Sequence, residues 1–171
     1  SCRLPFSNRR EFAMADPDYV SDKTIDRHRQ ALFKYFAEFP FAKLIGMELV
    51  EIDPGRALLR MTYRPDLCQP ACIMHGGAIA SLVDTSIAQS MLLTPQYMEA
   101  HERGARIVSV DLRVKYLRPV SGGQVTCEAH TPRVGRTITH ATAVVRDAAG
   151  KEVATGDSIY MIVEGEQLKK R

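Results

Sequence analysis

The chain of 171 residues contains no tryptophan, and its four cysteines include no CxxC pair. Cysteines without such spacing are typical of reduced thiols, so we predict free thiols and a cytoplasmic location. No apolar run approaches the roughly 18 residues that a transmembrane helix needs, and no membrane partner is expected. Residues 1–5 lack the apolar segment of a secretory signal.

Several sequence signatures are also missing. There is no GxSxG nucleophile elbow, no Walker loop and no GxGxxG fingerprint. The net charge is +3, from 23 basic and 20 acidic residues, which is too small an excess to indicate nucleic-acid binding. It is compatible with a small anionic ligand. A chain of this length favours one domain with a substantial core.

The hydrophobic periodicity predicts an α+β fold in which one long helix covers an antiparallel sheet. We expect a disordered leader over residues 1–20, an N-terminal helix within 21–41, a main domain over 42–165 and a tail over 166–171. A hairpin is expected around Asp53-Pro54-Gly55, followed by a loop to residue 75, a long helix over 76–93 and a polar connection over 94–105. Four strands complete the prediction: 106–117, 124–131, 137–146 and 153–163.

The strand over residues 106–117 alternates apolar and polar side chains, which predicts two distinct faces. The apolar face would carry Val108, Val110, Leu112, Val114 and Tyr116. The opposite face would carry Ser109, Asp111, Arg113 and Lys115.

The most informative stretch runs from Gln69 through His75-Gly76-Gly77 to Asp84. Glycines at a helix start leave backbone N–H groups for a ligand, and the helix N-terminus favours negative charge there. Asp84 is the only charged residue of its helix, and a carboxylate on such an apolar helix is costly unless it has a use. A backbone donor and a carboxylate together indicate chemistry at a carbonyl.

The sequence contains two other groups of side chains with possible binding functions. Cys68, Cys72 and His75 match the spacing of no common zinc site and lack a fourth ligand, so no metal is expected. The strand region also carries a basic cluster, which is either a solvated sheet edge or a phosphate-binding rim. Its members are Arg113, Lys115, Arg118, Arg133 and Arg136.

Three segments resemble the hotdog-fold acyl-CoA thioesterases of the PaaI type. They are HGGAIASLVDTSIAQS (75–90), VSVDLRVKYLRPV (108–120) and VGRTI (134–138). The resemblance implies a curved antiparallel sheet wrapped around one long central helix. It also implies hydrolysis of an acyl-CoA to a free acid and coenzyme A, with no separate cofactor, because coenzyme A is part of the substrate.

The resemblance assigns roles residue by residue. Asp84 would be the general base or nucleophile, and the Gly76 N–H would polarise the thioester carbonyl. His75 would shape the turn, Gln69 would lie beside the thioester, and Ser109 would help to hold the water. The coenzyme A path would be lined by Ser109, Asp111, Tyr116, Gly135, Arg136 and Thr137. Some relatives have Glu and Thr where this chain has Asp84 and Ala88, so the chain is closer to the subgroup with Asp and a strand serine.

Helix geometry adds an expectation about assembly. Gly76 and Asp84 are eight residues apart, or about 12 Å along one helix, whereas both must approach one carbonyl. We therefore expect a homodimer with shared active sites, and a dimer of dimers (a homotetramer) as the larger assembly. Two alternatives stay open: a hotdog-fold hydratase-dehydratase of enoyl or 3-hydroxyacyl thioesters, and a non-catalytic acyl-CoA binding protein.

Overall fold

The computed structural model describes residues 22–164, so the predicted leader and tail lie outside the described residues. Helix α1 spans Asp22–Glu38, and a second helix, α2, spans Pro40–Ile45. Pro40 ends the first helix as expected, but it also starts the second, because proline fits the first helical position. Gly46 then ends α2 in the left-handed conformation, with φ of 71°.

The remaining helices and strands belong to one folded unit. Two further α-helices, a short 3-10 helix at Pro65–Leu67 and six strands follow. In chain order the α-helices and strands are β1 (Met47–Asp53), β2 (Arg56–Thr62), α3 (Gly76–Met91), α4 (Pro95–Glu102), β3 (Arg106–Tyr116), β4 (Gln124–His130), β5 (Ile138–Asp147) and β6 (Glu152–Val163). The strands form a single antiparallel sheet in the order β1-β2-β4-β5-β6-β3. Within the described chain, β1 and β3 are therefore the two edge strands.

Helix α3 lies against all six strands and supplies the centre of the core. Leu82, Val83 and Ile87 are fully buried, and they pack in one cluster with side chains such as Leu59 and Val145 from the sheet. Burial of each such side chain contributes about 1.5–3 kcal/mol. A sheet wrapped around one long helix is the α+β hotdog arrangement, so the predicted fold class is confirmed.

Helix and sheet approach each other closely at Gly156 of β6. A Cβ built on Gly156 would lie 2.4 Å from Cγ1 of Val83 and 3.2 Å from the carbonyl oxygen of Arg113. No side chain fits in that space, so glycine lets β6 lie directly against α3. Val83 is next to Asp84, and the same contact therefore sets how near β6 comes to the carboxylate.

The N-terminal helix α1 is attached to the β1 edge of the sheet. Arg29 donates from Nε to the Ile52 carbonyl oxygen at 2.9 Å and from Nη2 to Oδ1 of Asp53 at 2.7 Å. Phe36 of α1 is buried in the main core. Residues 22–38 are thus part of the folded unit.

Two details of the sequence prediction are wrong. Residues 94–105 are not a plain polar connection, because Pro95 starts α4, whose Tyr97 and Met98 are buried. The strict alternation along β3 fails as well. Ser109 pairs with Tyr160 and Asp111 with Ile159, so Val110 is an extra residue in a β-bulge.

The bulge changes which way the start of β3 faces. Ser109 points towards α3, whereas Val110 is 59% exposed. Leu112 and Val114, beyond the bulge, pack against the core as predicted. Residues that were predicted to share one face of β3 therefore lie on opposite faces before and after Val110. Ser109 lies on the opposite side of the sheet from Asp111 and Arg113.

Candidate active site

The first group of predicted site residues gathers at the N-terminus of α3. His75 is the N-cap residue, and its Nδ1 accepts a hydrogen bond from the Gly77 N–H at 2.9 Å. Backbone hydrogen bonds from Met74 to Val120 and from His75 to Leu67, both 2.8 Å, hold the turn in place. Among residues 22–164 the Gly76 N–H donates to no acceptor, so it is available to a ligand.

A cavity of about 390 Å³ opens beside this helix start. Gln69 lies on its wall, in a tight loop closed by hydrogen bonds of 2.9 Å from Gln69 N to Ile73 O and from Cys72 N to Gln69 O. Tyr116 donates to the Gly76 carbonyl at 2.9 Å, and its ring lies over Gly76. The rest of the cavity wall consists of Arg118 and of the apolar residues Ile73, Met74, Ile79, Leu117, Pro119 and Val120.

The second group surrounds Asp84, two turns further along α3. Ser109 donates from Oγ to Oδ1 of Asp84 at 3.1 Å, and the Tyr160 hydroxyl donates to the same oxygen at 2.6 Å. The Tyr160 hydroxyl is also 2.9 Å from the Asp84 carbonyl oxygen. Asp84 is half-buried, on the open side of the helix with Ala80 and Ala88.

Tyr160 is 4% exposed, and burial raises the pKa of its phenol well above the usual range, with the Asp84 carboxylate raising it further. The phenol therefore stays protonated and acts as a hydrogen-bond donor across the physiological pH range. A carboxylate that accepts two such bonds is held in one orientation.

The loop predicted to border coenzyme A lies at the same end of the sheet as Asp84. Gly135 donates its N–H to Oγ1 of Thr139 at 3.2 Å, and Thr139 pairs with Tyr160 across the β5–β6 ladder. The Thr137 carbonyl accepts from the Ile162 N–H at 2.9 Å. Arg136 is exposed at the tip of this loop.

Asp111 is placed differently from the other predicted residues. It lies on the outer face of the sheet, where Arg113 bonds both Asp111, at 3.1 Å, and Asp157, at 3.2 Å. The structure therefore brings Asp84 together with Ser109, and Gly76 together with Gln69, His75 and Tyr116, but it keeps Asp111 apart from both groups.

The two groups are separated within one chain by about 12 Å of helix. Tyr160, which belongs to the second group, was not identified from the sequence. Its signal is weak: a buried tyrosine needs a partner for its hydroxyl, and α3 carries a single carboxylate. Tyr160 and Asp84 are brought into contact only by the way in which β6 packs against α3.

Two further properties concern the described residues. No group of three or more His, Cys, Asp or Glu side chains in residues 22–164 is placed to hold a metal ion. None of the helices there combines the length and the apolar character needed to cross a bilayer.

The sheet wrapped around α3 defines a hotdog fold. A backbone donor at the helix start and a held carboxylate two turns later form its candidate active site. Comparison with known proteins gives the family. Residues 73–154 match the Thioesterase superfamily. Human acyl-coenzyme A thioesterase 13 is 30% identical over 119 residues, covering 68% of this chain and 80% of the relative.

A further relative agrees on the family, and a solved structure agrees on the fold. The medium/long-chain acyl-CoA thioesterase YigI of Escherichia coli is 28% identical over 134 residues, covering 72% of this chain and 85% of its own. The structure of the phenylacetic acid degradation protein PaaI from Thermus thermophilus superposes with a TM-score of 0.62 at 24% identity, covering 72% of this chain and 98% of its own. The chain belongs to the thioesterase superfamily and is a thioester hydrolase, as predicted.

Proposed function

We propose that this thioesterase hydrolyses acyl-CoA thioesters to free carboxylic acids and coenzyme A, with Asp84 as the general base or nucleophile. One observation carries the proposal: Asp84 is held by two hydroxyl donors on the open side of α3, while the Gly76 N–H at the start of the same helix has no acceptor among residues 22–164. The names of the human and E. coli relatives support an acyl-CoA substrate.

The chemistry follows from these groups. The Gly76 N–H donates to the thioester carbonyl oxygen and stabilises the charge that develops there, which is worth about 3 kcal/mol for one such donor. Asp84 either removes a proton from the attacking water or itself attacks the carbonyl carbon to form an anhydride that water then opens. In both routes the C–S bond breaks, the thiolate of coenzyme A leaves and takes up a proton, and the acyl carbon gains the oxygen of water.

The neighbouring side chains have supporting roles in this proposal. Gln69 lines the cavity beside Gly76 and orients the thioester, and His75 fixes the turn through its N-cap bond. Ser109 donates to Asp84 and lies where it can also hold the water. Tyr116 closes the cavity over Gly76.

We also propose a homodimer in which each site joins Gly76 of one subunit to Asp84 of the other. The β3 edge supports it, because β3 pairs only with β6 among the described strands and leaves its outer backbone edge unpaired. Large apolar side chains are exposed along and just beyond it: Val110 at 59%, Tyr116 at 54% and Leu117 at 50%. Antiparallel pairing of two β3 strands would set the open sides of two α3 helices against each other.

For coenzyme A, we propose that the loop over residues 135–137 borders its path. Arg133 and Arg136 are exposed, and neither forms an ion pair within residues 22–164, so both are available to phosphate groups. Asp111 is a weaker candidate, since its carboxylate is engaged by Arg113 on the outer face.

A substrate panel tests the proposed activity. The purified protein is incubated with acyl-CoAs from acetyl to palmitoyl and with phenylacetyl-CoA, and the released thiol is measured. We expect turnover of at least one chain-length class. Absence of thiol release from the whole panel by folded protein contradicts the proposal, and hydration of enoyl-CoA without thiol release would favour the hydratase alternative.

A further inference from the structure

We propose that Tyr160 is a positioning residue that, together with Ser109, holds Oδ1 of Asp84, so that Oδ2 is the oxygen that acts on the substrate. This inference rests on the proposed function, because it concerns the carboxylate that we assign to catalysis. Tyr160 lies outside the residues that match the superfamily, which end at residue 154.

The contacts distinguish the two carboxylate oxygens. Both hydroxyl donors, Ser109 at 3.1 Å and Tyr160 at 2.6 Å, bond Oδ1. Among the described residues no hydrogen bond reaches Oδ2. A carboxylate oxygen that accepts two hydrogen bonds is a poorer base and nucleophile, so the unbonded oxygen is the reactive one.

The Tyr160 hydroxyl also fixes the side chain relative to the helix. It is 2.6 Å from Oδ1 and 2.9 Å from the carbonyl oxygen of the same residue, so it bridges the side chain and the main chain of Asp84. Rotation of the Asp84 side chain about its Cα–Cβ bond would break the shorter contact. Tyr160 therefore restricts the direction in which Oδ2 points.

The surrounding packing keeps Tyr160 in place. Gly156, four residues before Tyr160 on β6, lies against Val83 of α3 with no room for a side chain. Ser158 donates from Oγ to the Asp111 carbonyl at 2.7 Å, which ties β6 to β3 beside the bulge. Gly156, Ser158 and Tyr160 alternate onto the face that meets α3, so three successive inward positions are all engaged.

Within residues 22–164 no charged side chain bonds Asp84, whose carboxylate is contacted by the hydroxyls of Ser109 and Tyr160. Charged side chains of the sheet form ion pairs with one another on its outer face. One set lies on β3 and β6, and the other lies on β1, β2, β4 and β5. The paired residues include Glu48, Arg56, Arg60, Asp111, Arg113, Glu128, Arg146 and Asp157. Lys115 and His140 also point outwards and are exposed. On the inner face Cys127 is titratable, but burial raises the pKa of its thiol to about 12 and keeps it neutral.

Tyr160→Phe tests the proposal, with Tyr97→Phe as the matched control because Tyr97 is also a buried tyrosine but lies in α4. In this variant the charged carboxylate loses one hydrogen-bond donor, and Oδ2 is no longer held in one direction. We expect the acid limb of the kcat/KM profile to move to higher pH and kcat to fall about tenfold, with KM changed less than about twofold. Tyr97→Phe should leave the limb in place.

A second variant separates positioning from a purely structural role. Incorporation of 2,3-difluorotyrosine at position 160 keeps the size of the ring and makes the hydroxyl a stronger donor, so the acid limb should move to lower pH. The pKa of Asp84 is also read without turnover, from carboxyl ¹³C shifts assigned with Asp84→Asn. If both variants fold and neither the limb nor the ¹³C titration moves, the proposal is wrong.

The two proposals fail in distinguishable ways. If the unmodified protein releases no thiol from any acyl-CoA, the proposed function fails, while the ¹³C titration still reports whether Tyr160 holds Asp84. If the unmodified protein is active and Tyr160→Phe keeps its kcat and its pH profile, Tyr160 has no positioning role.

Discussion

At the scale of single residues, the proposed chemistry depends most on Asp84. We predict that Asp84→Asn lowers kcat about a thousandfold or more with little change in KM, because an amide neither accepts the proton of water nor attacks the thioester. The amide keeps the size of the side chain and can still accept the bonds from Ser109 and Tyr160, so folding should be preserved. Steady-state thiol release measures both constants.

Asp157→Asn is the matched control for that variant. Asp157 is an aspartate on the outer face of β6, where it bonds Arg113 at 3.2 Å, and a partly exposed ion pair contributes little. Its substitution should leave kcat within about twofold. A purified Asp84→Asn protein with full activity would remove Asp84 from the mechanism.

At the scale of secondary-structure elements, the contact between β6 and α3 decides the geometry of the site. We predict that Gly156→Ala destabilises the protein by about 1–3 kcal/mol, because its Cβ would overlap Val83 at 2.4 Å and force the strand from the helix. Activity should fall as well, since Tyr160 moves with the strand. Urea unfolding measures the stability, and thiol release measures the activity.

Gly122→Ala serves as the control, because a Cβ there meets nothing within 4 Å and its backbone is not in the left-handed region. Equal unfolding free energies for the two variants would show that the close packing at Gly156 contributes nothing.

The elements also show how far the sequence could be interpreted. Alternation and helical periodicity sufficed for all six strands and for α1 and α3, because each buries one face. They failed at α4, because the polar character of residues 94–105 predicts a connection, whereas Pro95 suits a helix start. They also gave the wrong face for Ser109. A one-residue bulge reverses the side-chain orientation of the residues before it, and the composition of the strand does not reveal the bulge.

The candidate site likewise contains residues that the sequence identifies and one residue that it does not. Gly76, His75 and Asp84 lie within one short stretch, so local spacing was enough to single them out. Tyr160 lies 76 residues from Asp84, and its role depends on strand register and on the Gly156 contact, neither of which a single sequence specifies.

At the scale of the whole molecule, shared sites make a prediction about mixtures. In a dimer of one Asp84→Asn subunit and one Gln69→Ala subunit, one of the two sites carries both substitutions and the other carries neither. Two nearly inactive proteins should therefore regain up to about a quarter of the unmodified activity after random exchange of subunits. Thiol release is measured before and after exchange, with exchange verified by mass spectrometry of tagged subunits.

Each variant taken alone through the same exchange procedure gives the baseline. Activity that stays at that baseline after complete exchange would mean that each chain builds its site alone.

The attachment of α1 to β1 has a consequence for solubility and growth of the assembly. The Ile52 carbonyl at that edge is already bonded by Arg29, and the helix is anchored there by Asp53 and by buried Phe36. A sheet with two free edge strands can pair with further copies at both edges and form a fibre. A sheet with one covered edge strand can pair with another copy only through its free edge strand. If two subunits pair through β3 as proposed, α1 covers the opposite edge of each sheet, and we expect a variant without α1 to associate further through β1.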